Sequence, residues 1–366
     1  MIVVIGAGVY GASVAASLAA RGAQVMVVDA GEPAGGTSAA TFSWTNSCGK
    51  QPRVYHDLCV AGMAAHRELA AAVPDSDWYH EPGNLEWADD DGERAALRAK
   101  VTGVLDYGYE ARWLTRAEAL RLEPDLDPAE LPADEIAYFP REGWVEPTRL
   151  VGHLLSRAVA AGAEVVSHDP VTALEMAGGT VSGVGLASGR QVPAAAVVNC
   201  AGPQAARIAA LAGLDLPMRN TRGVLIHTSP VAGSMSRVIH APHVHVRPDV
   251  AGRLLLHTHE VDGAARVSGS GDVTVEPSAV EAVLEAGRTL CPALRTASVA
   301  SIRVGERPIP ADGLPVLGRV VGLPTFHFAV SHSGATLSVH AGDLVAAEVL
   351  GADRGDALAA FRFERL

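Results

Sequence analysis

The first thirty residues constrain the fold of this chain more than any other stretch. Residues 2–5, IVVI, are a short apolar run that predicts a buried strand, and GAGVYG follows directly at 6–11. A pattern of helical spacing then runs to Gly22, and a second apolar run at 24–29 ends on Asp29. This order predicts a strand, a glycine turn, a helix and a second strand that closes on an acid.

The glycines and the acid together indicate a site for a dinucleotide. Gly6 allows the tight turn, Gly8 lets the backbone approach a pyrophosphate, and Gly11 lets the helix pack close to the strand. The helix N-terminus offers free N–H groups and a partial positive charge to the phosphates. Asp29 is placed to accept hydrogen bonds from the ribose hydroxyls, and an acid there disfavours the 2′-phosphate of NADP.

The composition is that of a globular protein with an acidic balance of charge. With 366 residues, 48% of them hydrophobic and 19% charged, the chain is long enough for two domains that each bury a core. A net charge of −12 without a basic patch argues against nucleic acid as a partner. No stretch approaches the ~20 unbroken apolar residues of a membrane span, and glycines interrupt the apolar N-terminus, which argues against a signal peptide. The cysteines are scattered without metal-type spacing and predict reduced thiols in the cytoplasm: Cys48, Cys59, Cys200 and Cys291.

Three later stretches extend the dinucleotide site. The loop GGTSAATFSWTNSCGK, at 35–50, follows the second strand, and its Thr37 and Ser38 can donate to a pyrophosphate or a ribityl chain. The apolar run AAAVVNCAG at 194–202 reads as another buried strand, and SHSGATLSVHAG at 331–342 follows a strand and opens a final helix. A cofactor that draws on all of these stretches is long, which favours FAD over NAD.

Taken together, these stretches resemble the D-amino-acid oxidase superfamily of flavoproteins, in the branch that contains glycine oxidase and sarcosine oxidase. The resemblance spans nearly the whole chain and also rests on GWVEPTRLVGHLLSRAVAAGAEV at 143–165 and GERPIPADGLPVLG at 305–318. It implies an α/β fold in which a Rossmann-like three-layer FAD-binding domain is interleaved with an α+β substrate domain built on an antiparallel sheet. The expected boundaries are 1–77, 143–217 and 305–366 for the FAD-binding domain, and 78–142 and 218–304 for the substrate domain.

The resemblance also implies which residues contact the FAD. A non-covalent cofactor is expected, because no cysteine stands in the late region where sarcosine oxidase relatives attach their flavin; Cys48, near the flavin loop, is the exception that stays open. Phe42 and Trp44 are expected in or behind the flavin wall, and Val171 on the adenine side. The full set of predicted contacts is Gly6, Gly8, Gly11, Asp29, Ala30, Thr37, Ser38, Phe42, Trp44, Val171, Ala201, Gly202, His332, Ser333, Gly334, Ala335 and Thr336.

The reaction implied by the resemblance is oxidation of the C–N bond of an amino acid or a related small amine, with hydride transfer to flavin N5 and an imine as product. Arg307, directly before Pro308, matches the position at which amino-acid oxidases of this family hold the substrate carboxylate. A guanidinium suits that role because it binds a carboxylate through two hydrogen bonds and keeps its charge when desolvated. A structural ion pair between domains is the alternative for Arg307, and Arg303 is the second choice for the carboxylate.

Lysine occurs only at Lys50 and Lys100. Lys50 is expected near the flavin ring, where a cation favours reduced, anionic flavin or the charge that forms as oxygen reacts. The alternative is a solvated lysine at a helix start. Sarcosine-oxidase-like relatives take an oxygen-activating lysine from a later strand, and the absence of lysine there argues against fast oxidase activity.

Histidines alternate in two places, His243 with His245 and His257 with His259. Because a turn is predicted near 249–252, paired strands would place all four on one face, a geometry that can bind zinc or copper. The resemblance instead places them in the substrate sheet over the flavin, where no metal is needed. We therefore expect no metal, and His245 and His257 are candidate pocket residues.

The remaining patterns predict helices at about 53–73 and 116–124, a helix and a strand over 148–168, hairpins at 172–189, and alternating strands from 218 to 302.

Several alternative functions remain open. One is a flavin dehydrogenase that passes electrons to a quinone or a protein, and another is a flavoprotein subunit of a heteromeric oxidase. A plain NAD-dependent dehydrogenase would require that the late HSG segment touch no cofactor. The electron acceptor is oxygen or unknown, and a homo-oligomer is allowed.

Overall fold

The computed structural model describes residues 1–267 and 273–366. The strands in this part of the chain are β1 (Ile2–Ile5), β2 (Val25–Val28), β3 (Trp44–Thr45), β4 (Tyr79–His80), β5 (Asn84–Glu86), β6 (Arg112–Leu114), β7 (Ile136–Phe139), β8 (Gly143–Val145), β9 (Glu164–Val166), β10 (Val171–Ala177), β11 (Thr180–Leu186), β12 (Gln191–Pro193), β13 (Ala196–Asn199), β14 (Thr221–Thr228), β15 (Val238–Ala241), β16 (Val244–Asp249), β17 (Arg253–His257), β18 (Ala265–Val267), β19 (Val273–Val275), β20 (Val299–Arg307), β21 (Val316–Val320) and β22 (Leu323–Val330). The helices are α1 (Val9–Ala20), α2 (Arg53–Ala71), α3 (Asp91–Asp106), α4 (Arg116–Leu122), α5 (Pro147–Ala160), α6 (Ala205–Leu211), α7 (His259–Asp262), α8 (Pro277–Leu290), α9 (Gly334–Val349) and α10 (Gly355–Leu358).

A largely parallel sheet carries the N-terminal motif. Its strand order is β21-β22-β13-β1-β2-β9, and β1 is parallel to both of its neighbours, β2 and β13. Only β21, at one edge, runs antiparallel to its neighbour. Every residue of β1 and β2 is buried, as expected for strands of a sheet that is covered on both faces.

The covering layers differ on the two faces of this sheet. Helices α1, α5 and α9 pack on one face and share a hydrophobic core with it. The antiparallel strands β10, β11 and β12, together with α6, cover the other face. The predicted three-layer arrangement is therefore confirmed, with helices, a parallel sheet and a small antiparallel sheet stacked in that order.

The glycine turn lets α1 approach β1 closely. Gly6 has a φ of 103°, in the left-handed region that favours glycine. A Cβ atom on Gly11 would lie 1.7 Å from the carbonyl oxygen of Gly6, so any side chain at this position would push the helix away from the turn. The helix N-terminus is thereby held beside the carboxyl ends of the strands.

A second, mostly antiparallel sheet takes strands from two distant parts of the chain. Its order is β20-β14-β17-β16-β15-β5-β7-β6, and only the pair β15 and β5 is parallel. One face packs on α8 in a separate core that includes Ile226, Leu256 and Leu284. This sheet agrees with the predicted substrate domain, while the exact domain boundaries stay a prediction.

Three helices in this half were not predicted: α3, α7 and α8. Helix α3 lies in the first segment of the predicted substrate domain, 78–142, where only the helix at 116–124 was expected, and Asp90 caps it by accepting a hydrogen bond from the Glu93 N–H. Helix α8 interrupts the stretch that was interpreted as alternating strands, so that prediction was wrong for 277–290. Apolar residues at helical spacing carried the missed signal, since Val280, Val283 and Leu284 are buried on one face. Residues 268–272 of the same stretch lie outside the described residues.

The described part of the chain holds no helix that is both long enough and apolar enough to cross a membrane.

Candidate active site

A first cavity lies at the carboxyl ends of β1, β2 and β13. It has a volume of about 440 Å³. Such a crevice beyond the strand ends is where open α/β sheets bind nucleotides. Most of the predicted cofactor contacts line it, namely Gly6, Gly8, Asp29, Ala30, Thr37, Ser38, Val171, Ala201, Gly202, His332, Gly334 and Ala335.

Backbone N–H groups hold the Asp29 carboxylate at the edge of this cavity. Oδ2 accepts from the Ala7 N–H at 2.6 Å, and Oδ1 accepts from the Gly31 N–H at 2.8 Å. A carboxylate can accept about four hydrogen bonds, so Asp29 keeps lone pairs for a ligand. Its orientation is fixed by the turn after β1 and the turn after β2.

The loop after β2 approaches the helix N-terminus. Ser38, in a single turn of 3₁₀-helix, accepts a hydrogen bond from the Val9 N–H at 3.2 Å. A Cβ atom on Gly8 would lie 3.1 Å from the Ser38 hydroxyl oxygen, so a side chain there would narrow the cavity. Thr37 instead donates its hydroxyl to the Glu306 carbonyl at 2.5 Å.

A second cavity, of about 670 Å³, continues from the first. The two share lining residues, which are Thr37, Ala40, Thr41, Pro308, His332 and Ala335. The loop at 40–46 forms one wall, and the second sheet forms the opposite wall. The predicted residues Phe42, Trp44, Lys50, His245, His257, Arg307 and Ser333 line this cavity, whereas Gly11 and Thr336 line neither cavity. Thr336 is buried and accepts from the Asn46 N–H at 3.3 Å.

Three histidines form a row across the sheet wall. His257 of β17 pairs in register with His245 of β16, and His245 pairs with His240 of β15. The ring of Phe42 faces all three, at centroid distances of 6.0 Å from His257, 6.4 Å from His245 and 5.9 Å from His240. We call these three residues the histidine row.

The row corrects the prediction that His243, His245, His257 and His259 share one face. His243 lies in the turn before β16, where it is exposed and sits 3.0 Å from an Asp89 oxygen. His259 starts α7 instead of continuing β17, because the Thr258 side chain caps that helix. His240, which was not predicted, takes the third place because β15 and β16 form a tight hairpin.

Three histidines of this cavity favour the neutral form, namely His240, His245 and His332. Burial is the main cause that lowers the pKa of His245 to about 3 and the pKa of His240 well below its usual value. Neighbouring imidazoles lower both pKa values further. Desolvation, followed by Lys50 and Arg307, lowers the pKa of His332 to about 4.

Arg307 lies at the edge of the second cavity, flat against the backbone. A Cβ atom on Gly223 would be 2.7 Å from Nη2 of Arg307, so only glycine leaves room for the guanidinium. Nη1 lies 2.8 Å from Oδ2 of Asp262 and donates to the Arg222 carbonyl at 2.9 Å. The Nε–H has no hydrogen-bond partner among the described residues, and Nη2 has His257 Nε2 at 3.0 Å, so the Nε–H and the second Nη2–H remain for a carboxylate.

Arg303 is placed differently. It is exposed on the same strand, does not line either cavity, and donates to the Ala39 carbonyl at 2.9 Å. Of the two arginines, Arg307 therefore has the better position for a ligand in the second cavity.

A His–His–Asp group lies beside Arg307. Ligand atoms of His257, His259 and Asp262 are all within 4.8 Å of one another, which is close enough for a metal ion. His257 Nε2 lies 3.0 Å from Nη2 of Arg307 and 3.2 Å from both oxygens of Asp262. The Arg307 guanidinium therefore already contacts the ligand atoms of His257 and Asp262.

The two lysines differ in their partners. Lys100 Nζ lies 2.5 Å from Glu86 Oε1, and both residues line the second cavity. Lys50 has no carboxylate partner among the described residues, and its Nζ lies 5.6 Å from the centre of the Tyr55 ring. The site thus contains one paired and one unpaired ammonium group.

Sequence reasoning missed a buried carboxylate behind the Trp44 wall. Glu142 is fully buried and has no arginine or lysine partner within the part of the chain that the structure describes. Its oxygens accept hydrogen bonds from five residues: Trp44, Ser47, Cys48, Asn84 and Tyr109. Burial is the main cause that raises its pKa to about 7. No spacing in the sequence marks Glu142, because its partners come from three separate segments.

Other missed residues line the cavities. Arg207 of α6 and Gln204 reach the first cavity, and Glu86 and Lys100 reach the second. The rarity of lysine was the only signal that could have drawn attention to Lys100.

The residues present fit an elongated dinucleotide that carries a ring system. The glycine turn, the oriented Asp29 carboxylate and the N-terminus of α1 suit an adenosine diphosphate in the first cavity. The shared wall at 37–41 and 332–335 joins this cavity to a wider one lined by Phe42 and Trp44, as a flavin requires.

Comparison with known proteins agrees with this fit. A family model described as DAO, FAD dependent oxidoreductase, matches residues 1–348. The chain is 26% identical over 373 aligned residues to a glycine oxidase of Bacillus licheniformis, covering 99% of this chain and 96% of the relative.

Two crystal structures show the same architecture. Glycine oxidase from Geobacillus kaustophilus superposes with a TM-score of 0.85 at 26% identity, covering 100% of this chain and 98% of that chain. Iminodiacetate oxidase from Chelativorans sp. BNC1 superposes with a TM-score of 0.84 at 26% identity, covering 99% and 98% of the two chains.

Proposed function

Because this chain belongs to the DAO family of FAD-dependent oxidoreductases, we propose that it oxidises the C–N bond of an amino acid or a related small amine and releases an imine. The observation that carries the proposal is the position of Arg307, which offers a free guanidinium edge in a cavity continuous with the dinucleotide site. Relatives named for the oxidation of glycine and of iminodiacetate support it, since both of these substrates are carboxylated amines.

FAD is the cofactor of this enzyme, and a covalent link is not indicated. The NAD-dependent alternative is therefore set aside. We propose that the predicted contacts along the first cavity hold the adenosine diphosphate part, with Asp29 accepting from the ribose and the N-terminus of α1 facing the pyrophosphate. Phe42, Trp44 and His332 would then flank the ring.

When bound, FAD would supply a two-electron acceptor, so that the amine could lose a hydride from carbon and a proton from nitrogen as its C=N bond forms. Arg307 binds the substrate carboxylate through its Nε and Nη2 edge and so fixes the reacting carbon relative to the ring. Asp262 and His257 keep the guanidinium in this orientation. Because burial lowers the pKa of His240 and of His245, these two imidazoles add no positive charge beside the substrate amine.

Lys50 supplies positive charge on the side of His332. Because this ammonium has no carboxylate partner in the described part of the chain, its field is not neutralised locally. We propose that Lys50 stabilises negative charge that develops as the cofactor is reduced or reoxidised.

The experiment is anaerobic bleaching of the flavin absorbance with a panel of D-amino acids, L-amino acids, glycine, N-methyl amino acids and cyclic imino acids. Bleaching by carboxylated amines is the expected result. Arg307→Leu should raise the apparent dissociation constant of these substrates about a hundredfold, because a charge-assisted bidentate contact is lost.

The matched control is Arg303→Leu, which removes an exposed arginine from the same strand and should leave the constant unchanged. If Arg307→Leu binds carboxylated substrates as well as the wild type does, the carboxylate role is wrong. If no amine bleaches the flavin, the proposed reaction is wrong.

A dehydrogenase is the second candidate, because the chain has no lysine other than Lys50 and Lys100. Peroxide release during turnover in air separates the two: an oxidase forms peroxide, and a dehydrogenase needs an added quinone or protein acceptor. Absence of any turnover by the purified chain would favour the subunit of a heteromeric oxidase.

A further inference from the structure

The histidine row continues as a longer line of side chains across the sheet. His240 of β15 pairs in register with Glu86 of β5, so the line runs from His257 to Glu86 over four strands. Neighbouring strands lie roughly 4.8 Å apart, which gives the line a length of roughly 14 Å. All of its members line the second cavity. The cavity wall therefore leads away from Arg307 much farther than the smallest amino acids reach.

Charges at both ends of this line already have partners. At one end Arg307 pairs with Asp262 at 2.8 Å. At the other end Lys100 pairs with Glu86 at 2.5 Å. Along the line itself, a charged substrate side chain would lose hydration beside ions that already have partners.

Lys50 does not alter this balance. Burial is the main cause that lowers the pKa of His332, and the charge of Lys50 is the next. For His240 and His245, the lysine that contributes to the lowered pKa is Lys100. Lys50 is therefore not part of the line, although it lines the same cavity.

His245, in the middle of the row, is the member without a hydrogen bond. His257 contacts Arg307 and Asp262. His240 donates from Nδ1 to Oδ1 of Asn84 at 2.8 Å, because the Asn84 amide N–H group is turned toward Glu142. No described residue hydrogen-bonds to His245, although its ring is largely enclosed by Phe42, His240 and His257.

A neutral imidazole has one donor and one acceptor, and both nitrogens of His245 remain for a ligand in the cavity. A carboxamide offers both functions on one planar group. The Phe42 ring lies against the row, at centroid distances of 5.9–6.4 Å, so an apolar ring stands next to the imidazoles. His257 Nε2 lies 3.0 Å from Nη2 of Arg307, and the ring centre of His257 is 5.5 Å from that of His245, a span that matches a side chain as long as that of glutamine.

We propose that His245 determines specificity by hydrogen-bonding an uncharged planar group of the substrate, so that the preferred substrates are amino acids whose side chain ends in a carboxamide. This inference rests on the proposed function, because it requires that Arg307 hold the carboxylate of an amino acid. His245 acts on selection of the substrate and takes no part in the oxidation of the C–N bond.

The test compares three side chains of nearly equal shape: glutamine, glutamate and homoleucine, each as both enantiomers. The rate of anaerobic flavin reduction is measured against concentration for each. For one enantiomer of glutamine, the ratio of limiting rate to dissociation constant is expected to be roughly tenfold higher than for glutamate or homoleucine. Homoleucine leaves His245 unpaired, and glutamate buries a charge.

His245→Phe keeps a flat ring and removes both nitrogens. This substitution should lower the ratio of limiting rate to dissociation constant about tenfold for glutamine, and leave that ratio unchanged or higher for homoleucine. The flavin spectrum and the flavin content should be preserved. His153→Phe is the matched control, because His153 stacks on Trp78 at 4.5 Å and does not line either cavity.

The outcomes separate the two proposals. If glycine or other amino acids bleach the flavin but glutamine has no advantage, or if His245→Phe retains the advantage, this inference is overturned and the proposed function stands. If no amino acid bleaches the flavin, both are overturned.

Discussion

Arg307 and Asp262 form an ion pair, with Nη1 2.8 Å from Oδ2, although they come from opposite sides of the predicted boundary at residues 304 and 305. The sequence left two roles open for Arg307, a carboxylate ligand or a structural ion pair. The geometry makes them compatible, because Asp262 and the Arg222 carbonyl use Nη1 while the Nε–H stays free. Burial raises the pKa of Asp262, but contacts with His257, Val224 and Arg307 lower it more, so the carboxylate keeps its charge.

Asp262→Asn should weaken the binding of carboxylated substrates. The guanidinium would lose the charge that fixes it over Gly223, and we expect KM to rise roughly tenfold with a smaller change in kcat. Asp312→Asn is the control, because it removes a similar aspartate that pairs with Arg365 at 2.7 Å away from both cavities. A fall in KM would mean that Asp262 competes with the substrate for Arg307.

Gly11→Ala should destabilise the protein and abolish FAD retention. The added methyl group would meet the Gly6 carbonyl oxygen at 1.7 Å, so α1 must move from β1, at a cost of at least about 2 kcal/mol in the free energy of unfolding. Gly152→Ala, at an exposed position of α5 with no atom within 4 Å, should instead stabilise by about 0.5–1 kcal/mol. Denaturant unfolding and the ratio of flavin to protein absorbance check both; equal effects of the two substitutions would contradict the packing argument.

Glu142 should make stability depend on pH. Its pKa is raised from 4.5 to about 7, chiefly by burial, while the N–H groups of Cys48 and Ser47 oppose the shift. The folded state therefore holds a proton that the unfolded state releases, so this contribution is complete below about pH 4.5 and is lost as the pH rises through about 7. Relative to Glu142→Gln, the wild type should lose unfolding free energy between these pH values and change little above pH 8. A difference that stays constant over this range would mean that the carboxylate is ionised throughout.

Lys50→Met should slow the oxidative half-reaction. Removing the unpaired ammonium leaves developing negative charge without its nearest counter-charge, and we expect the rate of flavin reoxidation by oxygen to fall at least about tenfold. Stopped-flow reoxidation after anaerobic reduction measures this rate. Lys50→Arg keeps the charge and should retain most of the reoxidation rate. If the flavin of Lys50→Met is reoxidised at the normal rate, the lysine is only a solvated residue at the start of α2.

FAD should dissociate when the protein is denatured, and it should stabilise the apoprotein when it is added back. Acid precipitation is expected to release the yellow colour into the supernatant, since no covalent link is indicated. Adding FAD to the apoprotein at a hundredfold excess over its dissociation constant should raise the unfolding free energy by about 2.7 kcal/mol. Colour that stays with the precipitated chain would point to an attachment, and peptide mapping at Cys48 would locate it.

The local pattern of the sequence was sufficient for the dinucleotide unit. Its strand, glycine turn, helix and acid lie within thirty consecutive residues, and each is specified by apolar spacing or by a backbone that only glycine permits. The hairpin pattern predicted at 172–189 is present as β10 and β11, and the final helix was also predicted, because period and turn residues are local signals. Helices α3, α7 and α8 were exceptions, and the short apolar groups of α8 were interpreted with strand spacing.

Which side chains meet in the second cavity was decided by the tertiary structure alone. His240 takes the place expected for His243 because the hairpin between β15 and β16 turns at 242–243. Glu86 lies next to the histidine row because its strand pairs in parallel with a strand more than 150 positions later. Strand register of this kind is set by burial of the opposite sheet face against α8, a long-range requirement that no window of sequence contains. The chain by itself determined that a dinucleotide binds and where its motif lies, whereas packing of distant strands determined what surrounds the substrate.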